Sequence, residues 1–552
     1  MGSEEETKKK NEVFDAEAAS LFVKELRGTF ASGKTKSYGW RVSQLKSLMK
    51  MLNEREPDIV DALRQDLDKP ELESSIYEIF RVYKSWLQRL VALLKTSIKS
   101  ALKELKHWMT PEKAICSEPP IYMEIHFVTN IENNNFNSFP VLSLDPVVGA
   151  IAAGNALVLK PSEVAPASSS LLAKLVGEYM DLSSIRVVEG AVAETSALLD
   201  QKWDKICYTG GGPNPNNFFF PLPPPRLESG WPAAVTNPTM PLGAMEEAVS
   251  ARWGERKREK IGNSRVARIV MAAAAKHLTP VLLELGGKSP VVFDSGINLK
   301  VACRRMIMGK WGCNNGQACI SPDHIITTKD YAPKLLESLK NELENFYGKN
   351  PLESKDLSRI VNSNHFARLS KLLDDDKVSG KIVHGGERDK NKLRIAPTLL
   401  LDVPQDSLIM SEEIFGPLLP ILTVDKIEDS FDIINSGTKP LAAYLFTNNK
   451  KLKQQFVETV SAGGLVINDT AVHLAVHSLP FGGVQESGMG AYHGKFSFDV
   501  FSHKKAVLSR GFIGDVPVRY PPYTKGKLRL LKVLISGSLL GIIRALLGWS
   551  KA

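Results

Sequence analysis

The sequence predicts an α/β protein built on a doubly wound sheet, with more than one hydrophobic core. Three observations carry this. Between Ala156 and Gly210, short apolar strands (ALVLK, IRVVEG, KICYTG) alternate with helical stretches such as ETSALLDQ, the rhythm of βαβ units in a parallel sheet. Beyond Glu284 the pattern remains mixed α/β. The 552 residues, 43% hydrophobic and 24% charged, are globular in composition and exceed one ordinary domain.

The elements follow in order. Residues 1–12 read as a solvated tail: MGSEEETKKKNEVFD lacks the apolar run of a secretory signal and is too acidic for a transit peptide. Glu6 also stands where N-myristoylation needs Ser or Thr. Val13, Phe14, Ala18, Leu21, Phe22 and Leu26 recur at helical spacing, so an amphipathic helix is expected there. Further helices run through Trp40 to Leu67, and a long one from about Glu71 toward His107, with Tyr77, Phe80, Tyr83 and Trp86 as core. Asp145 to Gly154 reads as a short helix stopped at Gly154-Asn155. ALVLK then forms a strand, and Pro161-Ser162-Glu163 opens the next helix. Lys160 thus falls at the carboxyl end of a strand, where open α/β sheets bind ligands, although an exposed lysine there is common. FSFDVFSHK, Phe496 to Lys504, alternates apolar and polar residues and reads as an edge strand suited to subunit pairing.

Net charge +9 is modest, and its basic excess gathers at the C-terminus, which argues for a local basic patch and against nucleic acid as partner. Five cysteines without metal-ligand spacing indicate a reducing compartment and no metal site. The tail LRLLKVLISGSLLGIIRALLGWSKA falls short of the roughly 18 unbroken apolar residues of a spanning helix. Lys525, Lys527, Arg529 and Lys532 open it and Trp549 closes it. That layout fits a helix lying on an anionic membrane surface, with docking on the protein's own surface or on a partner subunit as the near-even alternative.

Two segments carry chemistry. In WGCNNGQACISPD, Trp311 to Asp323, the thiol of Cys319 sits among small and polar residues. Gly312, Gly316 and Ala318 leave the backbone open to a ligand, and Asn314, Asn315 and Gln317 are expected to set amide donors beside the sulfur. A small buried cysteine is the plainer reading, but these flanks are too polar and glycine-rich for ordinary packing. Cys313 lies close enough in sequence to form a disulfide on oxidation, with packing its simpler role. In VLLELGGKSP, Glu284 sits in an apolar run, where burial raises its pKa toward the range of a general base. A salt bridge to Lys288 is the competing reading.

Together these segments resemble the aldehyde dehydrogenase superfamily. LSLDPVVGAIAAGNALVLKPSE, EEIFGPLLPI and LPFGGVQESGMGAYHGKFSFDVFSHKKAV extend the match, the last pointing to the class 3, fatty-aldehyde and plant, branch. The resemblance implies a Rossmann-like cofactor domain, an α/β catalytic domain and a small β oligomerisation arm. The corresponding divisions are 13–283, 284–467 and 468–510, followed by a basic-apolar tail over 511–552. It implies Cys319 as nucleophile and Glu284 as the residue that activates water. Lys160 and Glu163 are implied at the adenosine ribose, Gly210 at the pyrophosphate turn, and Glu413 and Phe415 at the nicotinamide. Asn468 and FGGVQESGMG line the substrate side. The cofactor is NAD or NADP, and no GxGxxG is needed because the family holds pyrophosphate differently. The expected substrate is an aliphatic, medium- or long-chain aldehyde, the assembly a homodimer, and the location cytoplasmic, with attachment to the cytosolic face of an internal membrane such as the endoplasmic reticulum.

Two places depart from the family pattern. Before LSLDP, SEPPIYMEIHFVTNIENNNFNSFP replaces the expected strand and its oxyanion-binding asparagine, leaving Asn137 as the nearest remnant. After Gly210, the Pro-rich Gly211 to Gly262 interrupts a turn that resumes at Asn263. Such a stretch forms no helix start and reads as translated intron or a gene-model error. These breaks keep two other functions open: a catalytically impaired homologue acting as a membrane-associated dimerising or binding protein, and a cysteine hydrolase pairing Cys319 with His324 or His493.

Overall fold

A computed structural model describes residues 14–67, 86–110, 128–133, 141–210, 264–505, 511–513, 515 and 517–535. Tyr77, Phe80 and Tyr83, the side chain of Trp86, Asn137, the 211–262 insert and the tail beyond Ile535 lie outside the described residues.

Four helices open the chain: α1 (Ala16–Ala31), α2 (Tyr38–Glu54), α3 (Glu56–Leu67) and α4 (Trp86–Trp108). The Asp15 carboxylate caps α1 by accepting from Glu17 N and Ala18 N. The buried face of α1 is Ala19, Val23 and Leu26, whereas Leu21 is 60% exposed. Of the expected face, Leu26 is buried and Phe14 and Phe22 pack against the core, whereas Leu21 does not, because at 3.6 residues per turn it points away from Val23 and Leu26.

The first sheet contains β1 (Val128–Asn133), β2 (Ala156–Lys160), β3 (Ile185–Val187), β4 (Lys205–Thr209) and β5 (Val281–Glu284), all parallel. Their spatial order is β5-β4-β1-β2-β3. Helices α5 (Val141–Ala153), α6 (Pro166–Tyr179), α7 (Val192–Leu199) and α8 (Ser264–Ala275) connect them. The order reverses between β1 and β4, the switch point outside which such sheets hold ligands. Every residue of β2 is buried, as expected of a parallel strand covered on both faces. A strand does form at VTNIEN despite its departure from the family pattern, pairing β2 and β4 in register. Helix α6 starts at Pro166 rather than at Pro161, because the residue preceding a proline is biased away from the α region.

After β5, the segment Leu285–Ser289 carries the chain into a second sheet. Its members are β6 (Pro290–Phe293), β7 (His324–Thr328), β8 (Ile382–His384), and, after the two-stranded hairpin β9 (Arg388–Asp389) and β10 (Arg394–Ile395), β11 (Thr398–Leu401), β12 (Leu418–Val424), β13 (Ala442–Phe446) and β14 (Gly464–Ile467). The order is β14-β13-β6-β7-β12-β11-β8, parallel except for β8. Helix α9 (Leu299–Lys310) precedes the Cys319 segment. Late in the chain, β15 (Gly488–Met489) returns to the first sheet, antiparallel to β5, with Gly488 opposite Glu284.

Phe496–Lys504 is not an edge strand. Gly494–Val500 is helical, with Phe498 and Phe501 buried three residues apart and Phe496 exposed. Phe498 packs on Trp108, ring centroids 5.6 Å apart, and Ser497 and Phe501 lie against Gly149 of α5. The alternation in FSFDVF was outweighed by this packing, as short apolar patterns often are.

Pro111–Met123 and Lys504–Ala552 form a separate unit. Its described part holds the helix Lys525–Ile535, whose Leu528 and Leu531 are exposed beside its lysines. Among the described residues no helix is long and apolar enough to cross a membrane.

Candidate active site

The two sheets set opposite ends toward one another. Glu284 ends β5 at the carboxyl edge of the first sheet. Cys319 precedes β7, and Glu412–Pro417 precedes β12, at the amino edge of the second. Glu284 is fully buried, and burial pushes its carboxyl up to about 8, the Cys319 thiol pulling it down and Glu413 adding to the rise. Burial, Glu284 and Glu413 likewise hold the Cys319 thiol well above its ordinary value. The thiol and carboxyl thus lie buried near one another, each setting the other's proton affinity. The expected alternative for Glu284 does not occur: Lys288 pairs with Asp323 at 2.5 Å.

The Cys319 segment is held by its polar neighbours. Asn315 Nδ2 donates to Ser358 O, Gln317 Nε2 donates to Asn314 O and Arg359 O, and Gln317 Oε1 accepts from Val361 N, all at 3.0 Å. The amides of Asn315 and Gln317 therefore fasten backbone rather than serving the sulfur, a correction to the sequence reading. Trp311 Nε1 donates to Pro417 O (2.9 Å), and Tyr444 Oη donates to Ile320 O (2.5 Å). Asn314 and Asn315 both take left-handed φ, 55° and 54°, a costly pair of conformations retained only where surroundings enforce them. Gly316, at φ +81°, lies so close to Gly416 O that a Cβ would collide with it. Cys313 is buried and forms no disulfide among the described residues.

The Glu412–Pro417 loop is braced from two sides. Lys288 Nζ donates to Ile409 O and Glu412 O, both 2.9 Å, and Asp323 Oδ1 accepts from Ile414 N at 2.8 Å. Arg368 donates to Glu412 Oε1 (2.7 Å), Ile414 O (2.5 Å) and His365 Nδ1 (3.2 Å). The His365 ring stacks on Phe415, centroids 5.8 Å apart and planes 11° apart, and Phe415 takes φ +47°. Sequence reading missed these supports. It also missed Lys310, buried at the end of α9, whose ammonium burial brings down to about 8 against the pull of Asp323. A signal was present: Lys310 continues the buried helical face of Ala302, Cys303, Met306 and Ile307.

At the carboxyl edge of the first sheet, Lys160 is buried and pairs with Glu163 at 2.8 Å. Gly210 follows β4 and donates its N–H to Glu284 O at 2.9 Å. A Cβ at Gly210 would meet the Tyr208 hydroxyl. The structure thus brings Cys319, Glu284 and Glu413 together, and places Lys160, Glu163 and Gly210 along the adjoining strand ends. Asn468 Oδ1 accepts from Thr447 N at 2.9 Å. His493 faces Asp145 at 3.7 Å and His324 faces Asp323 at 3.6 Å. Among the described residues neither ring makes a hydrogen bond to Cys319, so the geometry lends the thiol–histidine hydrolase reading no support.

The profile of the aldehyde dehydrogenase family matches residues 5–214 and 228–507. The chain is 58% identical to aldehyde dehydrogenase family 3 member H1 of Arabidopsis thaliana, covering 97% of this chain and 99% of that protein. It is 39% identical to the dimeric NADP-preferring aldehyde dehydrogenase of Rattus norvegicus, covering 91% and 97%. The substrate-bound AldH of Staphylococcus aureus superposes with a TM-score of 0.76 at 34% identity, over 93% and 99% of the two chains. With a buried thiol facing a buried carboxylate between two α/β sheets, and these likenesses along nearly its whole length, the chain belongs to the aldehyde dehydrogenase family.

Proposed function

We propose that this chain oxidises aliphatic, medium- or long-chain aldehydes to carboxylic acids through a thioester on Cys319, using NAD in preference to NADP. The observation that carries the reading is that the Cys319 thiol and the Glu284 carboxyl are buried near enough to shift one another's proton affinity, with both Glu284 oxygens left without a hydrogen-bond partner among the described residues.

The residues present suit a dinucleotide. Lys160 and Glu163 offer a cation and an acceptor to ribose hydroxyls, Gly210 stands at the end of β4 where the pyrophosphate turn is expected, and Phe415 offers a flat face backed by His365. When bound, the dinucleotide supplies the hydride acceptor. Glu163 beside Lys160 disfavours a 2′-phosphate through charge repulsion, hence the preference for NAD. Cys319, having lost its proton, attacks the aldehyde carbonyl, and its backbone N–H supports the oxyanion. Glu284 then takes a proton from water, which cleaves the thioester and frees the carboxylate and the thiol. Raised to about 8, Glu284 is a stronger base than an ordinary carboxylate once ionised, so its capacity to receive that proton grows as pH approaches and passes 8.

The preference for apolar aldehydes rests on the class 3 likeness and on the C-terminal unit. That unit's exposed Leu528 and Leu531, beside Lys525, Lys527, Arg529 and Lys532, suit a reversible hold on the anionic cytosolic face of an internal membrane such as the endoplasmic reticulum. The rat relative named dimeric supports a homodimer. The impaired-homologue alternative is not favoured, because the thiol, its carboxylate partner and their supports are all in place. Purified full-length protein assayed with hexanal and dodecanal, with each cofactor, tests the reading. Oxidation absent in Cys319→Ala is expected, and oxidation surviving that change overturns it.

A further inference from the structure

A line of hydrogen bonds joins the Cys319 segment to the strand end that carries Lys160 and Glu163, and it passes through a residue with no role so far. Gln317, two residues before the thiol, donates to Arg359 O and accepts from Val361 N. Asn315 grips the same strap through Ser358 O. Arg359 then reaches across to α3. Its Nη2 donates to Gln65 O (3.0 Å) and Asp66 O (3.1 Å), and its own N–H donates to Leu67 O (3.3 Å). These are the last described carbonyls of α3, which carry the negative end of the helix dipole and suit a guanidinium. Asp66 continues the line: its carboxylate accepts from Ala167 N (3.1 Å) and Ser168 N (2.9 Å), the first free N–H groups of α6. Helix α6 has no cap of its own, since Ala165 makes no side-chain bond there. Ser169 Oγ finally donates to Ser162 O at 2.6 Å, beside Glu163.

We infer that Arg359 and Asp66 are positioning residues, a strut that sets the Cys319 thiol and the Lys160–Glu163 ribose site at a constant separation. The inference rests on the thioester reading above and adds a requirement to it. Hydride leaves the carbon bonded to Cys319 and must reach a cofactor anchored on the other sheet, so an error in either anchor misaligns the pair. A displacement of about 1 Å at such a distance costs on the order of a hundredfold in rate. The amino end of α6 is closed by the Asp66 carboxylate, so it offers no amides to a phosphate. Asp66 therefore acts through α6 and touches no cofactor.

Alkylation of Cys319 by iodoacetamide, located by peptide mass spectrometry, is followed in the full chain with and without saturating NAD. In the wild type, NAD is expected to change the alkylation rate at least about threefold. In Arg359→Ala and Asp66→Asn that change collapses toward unity. KM for NAD rises and kcat falls, together lowering kcat/KM about a hundredfold. Arg359→Lys, which can still donate to both carbonyls, retains most of the coupling. A lowered melting temperature with coupling and KM for NAD intact overturns the inference, as does a wild type whose Cys319 reactivity ignores NAD. Failure of the thioester reading is told apart by its own signature, wild-type protein that oxidises no aldehyde.

Discussion

Glu284 is the residue whose environment most determines behaviour. Burial holds its carboxyl near pH 8, and kcat is expected to climb with pH toward and through that value as the base becomes available. Glu284→Gln should lower steady-state turnover about 10²–10⁴-fold and flatten this rise, while a first-turnover burst of reduced cofactor survives. Stopped-flow absorbance separates the two phases. The same group acts on stability. Between the ordinary value of 4.5 and about 8, the folded chain keeps a proton that the unfolded chain has released. Stability therefore falls as pH rises through that window, by up to ~1.4 kcal/mol per pH unit. Glu284→Gln should remove this slope, raising the melting temperature at pH 8 and changing it little at pH 4.5. At the ribose end, Glu163→Gln should shift kcat/KM toward NADP by about tenfold relative to NAD, the scale of removing one nearby charge. An unchanged ratio would remove Glu163 from the determinants of preference.

Among elements, the Cys319 segment is the most constrained. Two asparagines at positive φ, a glycine pressed on Gly416 and three bonds into the 358–361 strap leave it one conformation. Gly316→Ala should destabilise the fold by about 1–3 kcal/mol and lower kcat at least about tenfold, read by thermal melts and steady-state kinetics. Activity at wild-type level would show the loop free to adjust. The elements also show where pattern reading stops. ALVLK was legible as a strand to the residue, because five consecutive apolar-compatible positions bounded by Asn155 and Pro161 admit little else. FSFDVF was not, because its period-two alternation also permits Phe498 and Phe501 to share a helix face, and the contact with Trp108 and α5 selected that form.

For the whole molecule, the proposed membrane role of the C-terminal unit can be tested apart from the chemistry of the two sheets. Truncation after Arg510 should leave hexanal oxidation intact and abolish binding to phosphatidylserine vesicles, which in the full chain weakens steeply with added salt. Equal vesicle binding by both forms would rule out the membrane role of this unit. The 211–262 stretch bears on the same scale: β4 ends at Thr209 and α8 begins at Ser264, and the family profile leaves 215–227 unmatched. Transcripts joining the Gly210 and Asn263 codons directly are expected, and reads that uniformly contain the insert would show it to be genuine.

The amino-acid order alone determined the βαβ alternation, the reactive thiol and its acid, and the family, since these depend on local composition and on motifs contiguous in the chain. Only the tertiary structure decided that Lys288 serves Asp323 and not Glu284, that Gln317 and Asn315 hold backbone, and that Arg368 and His365 brace Phe415. The reason is physical. Each of those partnerships joins residues 35 to 50 positions apart or sets a side chain's direction within a loop, and neither distance nor direction is encoded in the spacing of residue types along a strand or helix.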